Sequence, residues 1–383
     1  MNDNVSVPAT SEKQFIAIPS SVKLAILIPT ARWTAMAQSV IASFVGVANQ
    51  EVAVLIADNS ENEDKRAFLQ KICAINPHIL VAAHEKNIGA LANILYLFDW
   101  CKDVPFCVLM AWVSPTYYTD AFQLLRNNPD VTCAEVGNTL IDVGGSGNFQ
   151  NISQATMRGQ NPIDCIQQWG GTCSRVTTYN VSRRSSLESG IYFYRTTPLN
   201  GLTLLEDLFE LSRLSTGSFV SECASGCFIH YSDHVSALSW ERYYSLLYKD
   251  TGLQLPFVYL STAIQCALFL KGNLSPIVDA KQKEACTQTV FRHIFVDSFL
   301  PLFSSDYSQQ TILAMFAEHP KAMEGSLKFC RAPFINNPVF NYEIVDWLIE
   351  VIRVFEAKPE ANTTPLSERF DLFVDSILCP PNM

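Results

Sequence analysis

A few short stretches of the chain hold residue types that could do chemistry. Pro29-Thr30 and Asp58-Asn59-Ser60 each close an apolar run, Leu24 to Ile28 and Val52 to Ala57, with a helix-patterned stretch between the runs. In open α/β sheets ligands gather at the carboxyl ends of parallel strands, so these two exits are predicted to form the rim of one cleft. Asn180 to Tyr194 carries Arg183 and Arg184, with Arg195 beside it, the densest cation group of an acidic chain. It reads as a solvated edge strand or as a wall facing a sugar or a phosphate. Gly144-Gly145-Ser146-Gly147 invites comparison with a phosphate cradle, but no Lys-Ser or Lys-Thr follows and no helix opens directly after, so a flexible lid or linker is the better reading. Cys223, Cys227, His230 and His234 are spaced somewhat like zinc ligands. A finger needs an insert of about a dozen residues between its pairs, and here only Phe228 and Ile229 intervene between Cys227 and His230. Neither the Gly-x-Ser-x-Gly elbow of a hydrolase nor a dinucleotide fingerprint after the first strand is present.

The elements that must position these residues alternate. After a polar tail over residues 1–21, with an apolar anchor near Phe15 to Ile18, strands are expected at Leu24 to Ile28, Val52 to Ala57, His78 to His84, Phe106 to Trp112 and Val131 to Val143. Helices are expected at Thr34 to Val47, Glu61 to Ile75, Ala90 to Lys102 and Tyr118 to Asn127, where apolar residues recur at helical spacing. Strand, helix and strand with no hairpin imply parallel pairing and right-handed crossovers, hence a doubly wound sheet. The helix Leu202 to Leu214 has Glu206 and Asp207 toward its start and Arg213 near its end, an order that suits the helix dipole. Beyond Trp240 the pattern turns helical between proline-rich breaks: Glu241 to Tyr248, Val258 to Leu270, Ala280 to Leu302, Gln309 to His319, Asn341 to Phe355 and Leu366 to Leu378. The expected organisation is a loose tail at 1–21, an α/β domain at 22–240 and a helical accessory domain at 241–383.

Composition bounds the function. The chain has 383 residues, 48% of them apolar and 17% charged, enough to bury a sizeable interior. A formal charge of −10 with no basic block argues against a general nucleic-acid binder, while leaving room for local phosphate binding. Twelve scattered cysteines after a polar N-terminus are read as buried thiols in a reducing, cytoplasmic compartment. No apolar stretch approaches the roughly 20 residues of a spanning helix, which leaves peripheral contact with the inner face of a membrane open.

The order of these pieces resembles the family-two glycosyltransferases of the GT-A fold over about Lys23 to Leu238. Leu27-Ile28-Pro29-Thr30 looks like the family's first strand and its exit, with Ala31-Arg32 in place of the usual tyrosine-asparagine-arginine. Leu55-Ile56-Ala57-Asp58-Asn59-Ser60 is close to the second-strand motif whose aspartate meets uracil, and Asn87-Ile88-Gly89-Ala90-Leu91-Ala92-Asn93 is similar to the loop and helix beside the nucleotide. Glu206-Asp207-Leu208 to Arg213 resembles the acidic motif on the acceptor side, and His230 to His234 the segment near the diphosphate. The resemblance implies inverting transfer of a sugar from a nucleotide-sugar donor to a glycan, lipid-linked or protein hydroxyl, as in polysaccharide biosynthesis. Asp207, with Glu206 as runner-up, would be the base. Pro29, Thr30, Asp58, Asn87 and Gly89 would meet the nucleotide, and His234 and Arg183 the diphosphate. For Asp58-Asn59-Ser60 the competing role is to cap the next helix, and for Asn87-Ile88-Gly89 to make a tight turn.

One departure bears on metal. Where the family ends its fourth strand with an aspartate-x-aspartate motif, this chain has Ala111-Trp112-Val113-Ser114, with no carboxylate to hold Mg²⁺ or Mn²⁺. Three alternatives stay open: transfer without metal, a carboxylate recruited from elsewhere such as Asp120, or a catalytically inactive relative kept as a binding or scaffold protein. Oligomerisation is left open as well.

Overall fold

The computed structural model describes residues 15–31, 33–109, 115–136, 139–143, 149–152, 156–159, 161–172, 180–196, 202–222, 227–231, 262, 265–267, 269–291 and 293–294. Contacts group the chain into two units, Met1–Met110 and Ala111–Met383.

The first unit is built on four parallel strands in the order β3-β2-β1-β4: β1 (Leu24–Thr30), β2 (Val52–Asp58), β3 (Ile79–Ala83) and β4 (Phe106–Leu109). Crossovers run through α1 (Ala35–Ser43), α2 (Glu63–Ile75) and α3 (Ala90–Trp100). All seven residues of β2 are buried, the apolar run Val52 to Ala57 as a strand covered on both faces requires, and Asp58 at its exit with them. Leu27, Leu55 and Leu97 are fully buried in this core, each contributing about 1.5–3 kcal/mol through removal from water. The expected first helix divides: α1 ends at Ser43 and Phe44–Gly46 continues as a 3-10 turn. The apolar anchor near the N-terminus packs as expected, with Phe15 stacked on Trp100 and the Trp100 indole N–H donating to the Ile16 carbonyl at 2.7 Å.

Capping corrects one expectation. α2 begins at Glu63, and its cap is Asn62, whose side-chain oxygen accepts the Lys65 N–H at 2.9 Å, with Glu63 and Asp64 in the first turn. Asp58, Asn59 and Ser60 therefore do not cap this helix.

The second unit contains α4 (Pro115–Asn127), then β5 (Val131–Val136), paired in parallel with β9 (Ser218–Glu222) and antiparallel with β8 (Val181–Arg183). The long strand expected over Val131 to Val143 is two strands in two sheets. β6 (Thr139–Val143) pairs in parallel with β10 (Cys227–Tyr231) and antiparallel with β7 (Phe149–Ile152). β7 also corrects the reading of Gly144 to Gln160 as wholly loop. Helices α5 (Pro162–Thr172), α6 (Glu188–Thr196), α7 (Leu202–Leu214) and α8 (Ala280–Phe291) complete the described elements. α6 and α7 approach so closely at Gly190 that a Cβ there would stand 3.0 Å from the Leu208 carbonyl.

Asn180 to Tyr194 is not a solvated edge strand. After three residues of β8, with Val181 and Ser182 buried, it turns through Arg184–Leu187 into α6. The expected 240/241 boundary and the helices expected at 241–248, 309–319, 341–355 and 366–378 lie outside the described residues, as does the β4 exit from Met110 to Ser114. Among the described residues no helix is long and apolar enough to cross a membrane.

Candidate functional site

Parallel register brings the two predicted strand exits together. Thr30 pairs with Asp58 across β1 and β2, and the Asn59 N–H donates to the Thr30 carbonyl at 2.7 Å. The third predicted piece, Asn87 to Gly89, is attached to the same rim by Asn59. Its amide NH₂ donates to Asn87 Oδ1 at 2.9 Å and to the Gly89 carbonyl at 3.1 Å, while its Oδ1 accepts the Ile88 N–H at 2.7 Å. Pro29, Thr30, Asp58, Asn87 and Gly89 thus share one edge of the first unit, although 59 positions separate the ends of that set in sequence. Gly89 has φ +88°, a left-handed conformation that selects glycine by backbone alone, and it leads into α3 with no side-chain cap. In place of a backbone tight turn at Asn87-Ile88-Gly89, Asn87 Oδ1 accepts the Gly89 N–H at 2.8 Å, local side-chain turn chemistry that coexists with a place on the rim. Asn93 locks α3 to the sheet through its NH₂ to the Ala57 carbonyl at 3.0 Å and its Oδ1 beside His84 Nε2 at 2.9 Å.

The Asp58 carboxylate is loaded on one side. Fully buried, it accepts on Oδ1 from the Ser60 N–H at 3.2 Å and the Ser60 hydroxyl at 2.7 Å, and the same oxygen is ion-paired with the Lys65 ammonium at 2.7 Å. Oδ2, also buried, has no hydrogen-bond partner; Arg66 Nε stands 3.8 Å away. Arg66 is held by its Nη2, which donates to the Ser60 and His84 carbonyls at 2.9 Å each. Lys65 is equally buried, and that burial pulls its pKa below the ordinary lysine value, opposed by the hydrogen bond and charge of Asp58. Asn59, Lys65 and Arg66 were not among the predicted site residues. Asn59 stood beside Asp58 in the motif, but a run such as Glu63-Asp64-Lys65-Arg66 reads as a solvated helix start, and nothing in it marks which cation turns inward.

Next to this carboxylate lies a cleft of about 500 Å³, walled by Asp58, Arg66, Leu69, Cys73, Ile79 and Val81 among others. Cys73 is half-buried, whereas Cys101, Cys107, Cys133, Cys165, Cys266 and Cys286 are buried. Burial raises the Cys73 thiol above its usual range, and it pushes Cys286 up to about 11. Among these seven cysteines, iodoacetamide on the folded protein is expected to label Cys73 first, faster as pH rises because the thiolate is the nucleophile. Peptide mass spectrometry reads the order, and a ligand filling the cleft should slow Cys73.

In the second unit, α7 starts at Leu202, so Glu206 and Asp207 fall after its first turn, which holds no acid. The helix-dipole account of the pair loses its footing. Asp207 is half-buried. Glu210, one turn on, is buried and accepts the Trp169 indole N–H at 3.0 Å. Burial first, then the charges of Asp207 and Glu210, hold the Cys266 thiol well above its usual range, so both carboxylates lie near that cysteine. Arg213 is a buried strut, donating from Nε to the Phe209 carbonyl at 3.0 Å and from Nη1 to Ser182 Oγ at 3.2 Å.

Arg183 has a task different from the one expected. Its Nε donates to the Val131 carbonyl at 2.7 Å, and its Nη2 to those of Leu125 and Asn128 at 2.8 and 2.9 Å. These are carbonyls at the end of α4 and the entry to β5, the groups a helix C-terminus leaves unsatisfied. His234 and the Glu206 side chain lie outside the described residues, and Asp120 is exposed on α4. Among the described residues no three His, Cys, Asp or Glu side chains group as a metal site.

No protein-family model matches the sequence, and no curated protein does. Solved structures do. A crystal structure of S. aureus TarS 1-349 matches with TM-score 0.56 at 10% identity over 93% of this chain and 91% of that one. TarS 1-349 in complex with UDP matches with TM-score 0.52 at 11% identity, again over 93% and 91%. A longer TarS structure gives 0.53 at 12% identity, with 55% of its length covered. These neighbours are GT-A-type glycosyltransferases, and the likeness fixes the architecture: the chain has a mostly parallel, doubly wound α/β fold of GT-A type.

Proposed function

We propose that the chain is a glycosyltransferase that binds a nucleotide-sugar along the rim of the first unit and transfers the sugar, with inversion, to a hydroxyl of a glycan, lipid-linked or protein acceptor. The observation that carries the proposal is the divided Asp58 carboxylate. One oxygen takes two hydrogen bonds and an ion pair, and the other, buried and beside a cleft, takes no hydrogen bond. A buried acceptor without a hydrogen bond costs about 1–3 kcal/mol, which a ring N–H of a nucleobase would recover. The UDP bound by a structural neighbour supports the same assignment by analogy of fold. Thr30, Asn87 and Gly89 flank that base and its ribose, and Pro29 sets the exit of β1.

In the transfer, the acceptor oxygen attacks the anomeric carbon, the bond from that carbon to the diphosphate oxygen breaks, and the nucleoside diphosphate leaves with the electron pair. The acceptor proton passes to Asp207, with Glu206 as the alternative base. His234 is the cation proposed for the departing diphosphate. Arg183 is set aside, because its guanidinium serves three backbone carbonyls. The proposed setting is cytoplasmic polysaccharide assembly, at or near the inner face of a membrane. A second reading, a binding protein that keeps the fold without the chemistry, is favoured by one observation: Ala111-Trp112-Val113-Ser114 offers no carboxylate after β4.

A thermal-shift screen of uridine, guanosine, adenosine and cytidine diphosphates, each with Mn²⁺ or with chelator, tests the donor site. One nucleoside series is expected to raise Tm, by about 2.7 kcal/mol of stabilisation at a ligand concentration a hundred times Kd. The double variant Asp58→Asn, Lys65→Met, which removes the buried pair together, should bind that series about 10- to 100-fold more weakly. No response to any nucleotide at millimolar concentration would overturn the proposal.

A further inference from the structure

The Asn59 side chain, only 2% exposed, directs its hydrogen bonds at the neighbouring loop, to Asn87, Ile88 and Gly89. Backbone donors settle which way two amides face. The Ile88 N–H can only donate, so the Asn59 atom 2.7 Å from it is oxygen; the Gly89 N–H likewise fixes Asn87 Oδ1 at 2.8 Å. With Asn59 oriented, its NH₂ has one direction left, toward Asn87 Oδ1 and the Gly89 carbonyl. Asn87 Oδ1 then receives two hydrogen bonds, from Asn59 and from Gly89, and both its lone pairs are used. The exposed Asn87 side chain keeps one unspent group, its NH₂.

We infer that Asn59 is a positioning residue that makes position 87 a hydrogen-bond donor to an oxygen of the bound nucleotide. The inference deepens the nucleotide proposal and rests on it for the identity of the ligand. Asn59 acts through Asn87: it consumes the Asn87 oxygen and turns the NH₂ outward. A ligand oxygen, whether a pyrimidine carbonyl or a ribose hydroxyl, meets a donor already oriented, so no rotamer freedom of Asn87 is lost on binding. The same link ties the loop to the Thr30 carbonyl through the Asn59 N–H, so all three chain segments of the rim move as one piece.

Asn59→Asp separates this role from bulk. The change is isosteric and keeps the acceptor for the Ile88 N–H, but it sets a carboxylate oxygen against Asn87 Oδ1 and the Gly89 carbonyl, where the NH₂ had been. Relief requires the Asn87 amide to turn over, which presents oxygen to the ligand. Nucleoside diphosphate affinity by calorimetry, with Tm alongside, is expected to fall about tenfold or more in Asn59→Asp and in Asn87→Ala, and no further in the double variant, because both remove the same donor. Additive losses, or wild-type affinity in Asn59→Asp, overturn the inference. Side-chain amide exchange by NMR on the wild-type chain decides it independently: the Asn59 NH₂ should be protected and the Asn87 NH₂ should exchange freely, and the reverse order sinks it. Should the wild type bind no nucleotide at all, the functional proposal falls, and the exchange order still decides the role of Asn59.

Discussion

Replacing Lys65 by methionine is expected to destabilise the chain by about 3–5 kcal/mol, because it leaves the buried Asp58 carboxylate without its counter-charge. Lys65 Nζ lies 2.7 Å from Asp58 Oδ1 with both side chains fully buried, so no solvent is at hand to take over when the ammonium goes. Urea unfolding of Lys65→Met against wild type measures the loss. The double variant Asp58→Asn, Lys65→Met should recover most of it, since removing both charges of a buried pair is often near neutral. A Lys65→Met variant within about 0.5 kcal/mol of wild type would show that water or another group compensates Asp58. The pH dependence has a definite sign. Lys65 titrates lower in the folded chain than the ordinary 10.5, so between those values the unfolded chain holds the extra proton and stability rises with pH. Lys65→Met lacks that gain, and its deficit should widen as pH climbs toward 10.

Asp207→Asn is the second large effect, and it separates an enzyme from a binder. If Asp207 takes the acceptor proton, the amide variant loses general-base catalysis, worth about 10²–10⁴ in kcat. Donor affinity should hold, since the rim of the first unit is untouched, and Tm should move little because Asp207 is half-buried and the substitution is isosteric. Sugar release from a radiolabelled donor onto acceptor, measured at saturating donor, reads the change. A variant as fast as wild type would move the base to Glu206, which the matching Glu206→Gln variant would then reveal. A wild-type chain that binds nucleotide and transfers nothing to any acceptor class would instead favour the non-catalytic reading.

How far the sequence reached differs between the two units. In the first, every strand and helix came from apolar periodicity, and the ends moved by a few residues. β1 runs through Pro29 to Thr30, and α2 starts at Glu63 instead of Glu61. In the second, Val131 to Val143 looks continuous because strand patterning is the same on either side of Gly137-Asn138, and only the partners differ: β9 and β8 for one half, β10 and β7 for the other. Arg183 misled for a related reason. Its charge is visible in sequence, but the carbonyls of Leu125, Asn128 and Val131 that receive it are more than 50 positions away.

Local pattern by itself determined that the chain alternates strand and helix, that the first two strands run in parallel, and that Thr30 and Asp58 stand at their exits, because apolar spacing and the absence of a hairpin leave little choice. Tertiary structure alone decided what those exits do to one another. Lys65 turns inward to Asp58, Asn59 spends itself on Asn87 and Gly89, and one carboxylate oxygen is left without a donor. Hydrogen bonds and ion pairs of this kind depend on distance and direction in space, which the order of residues along a chain does not encode locally.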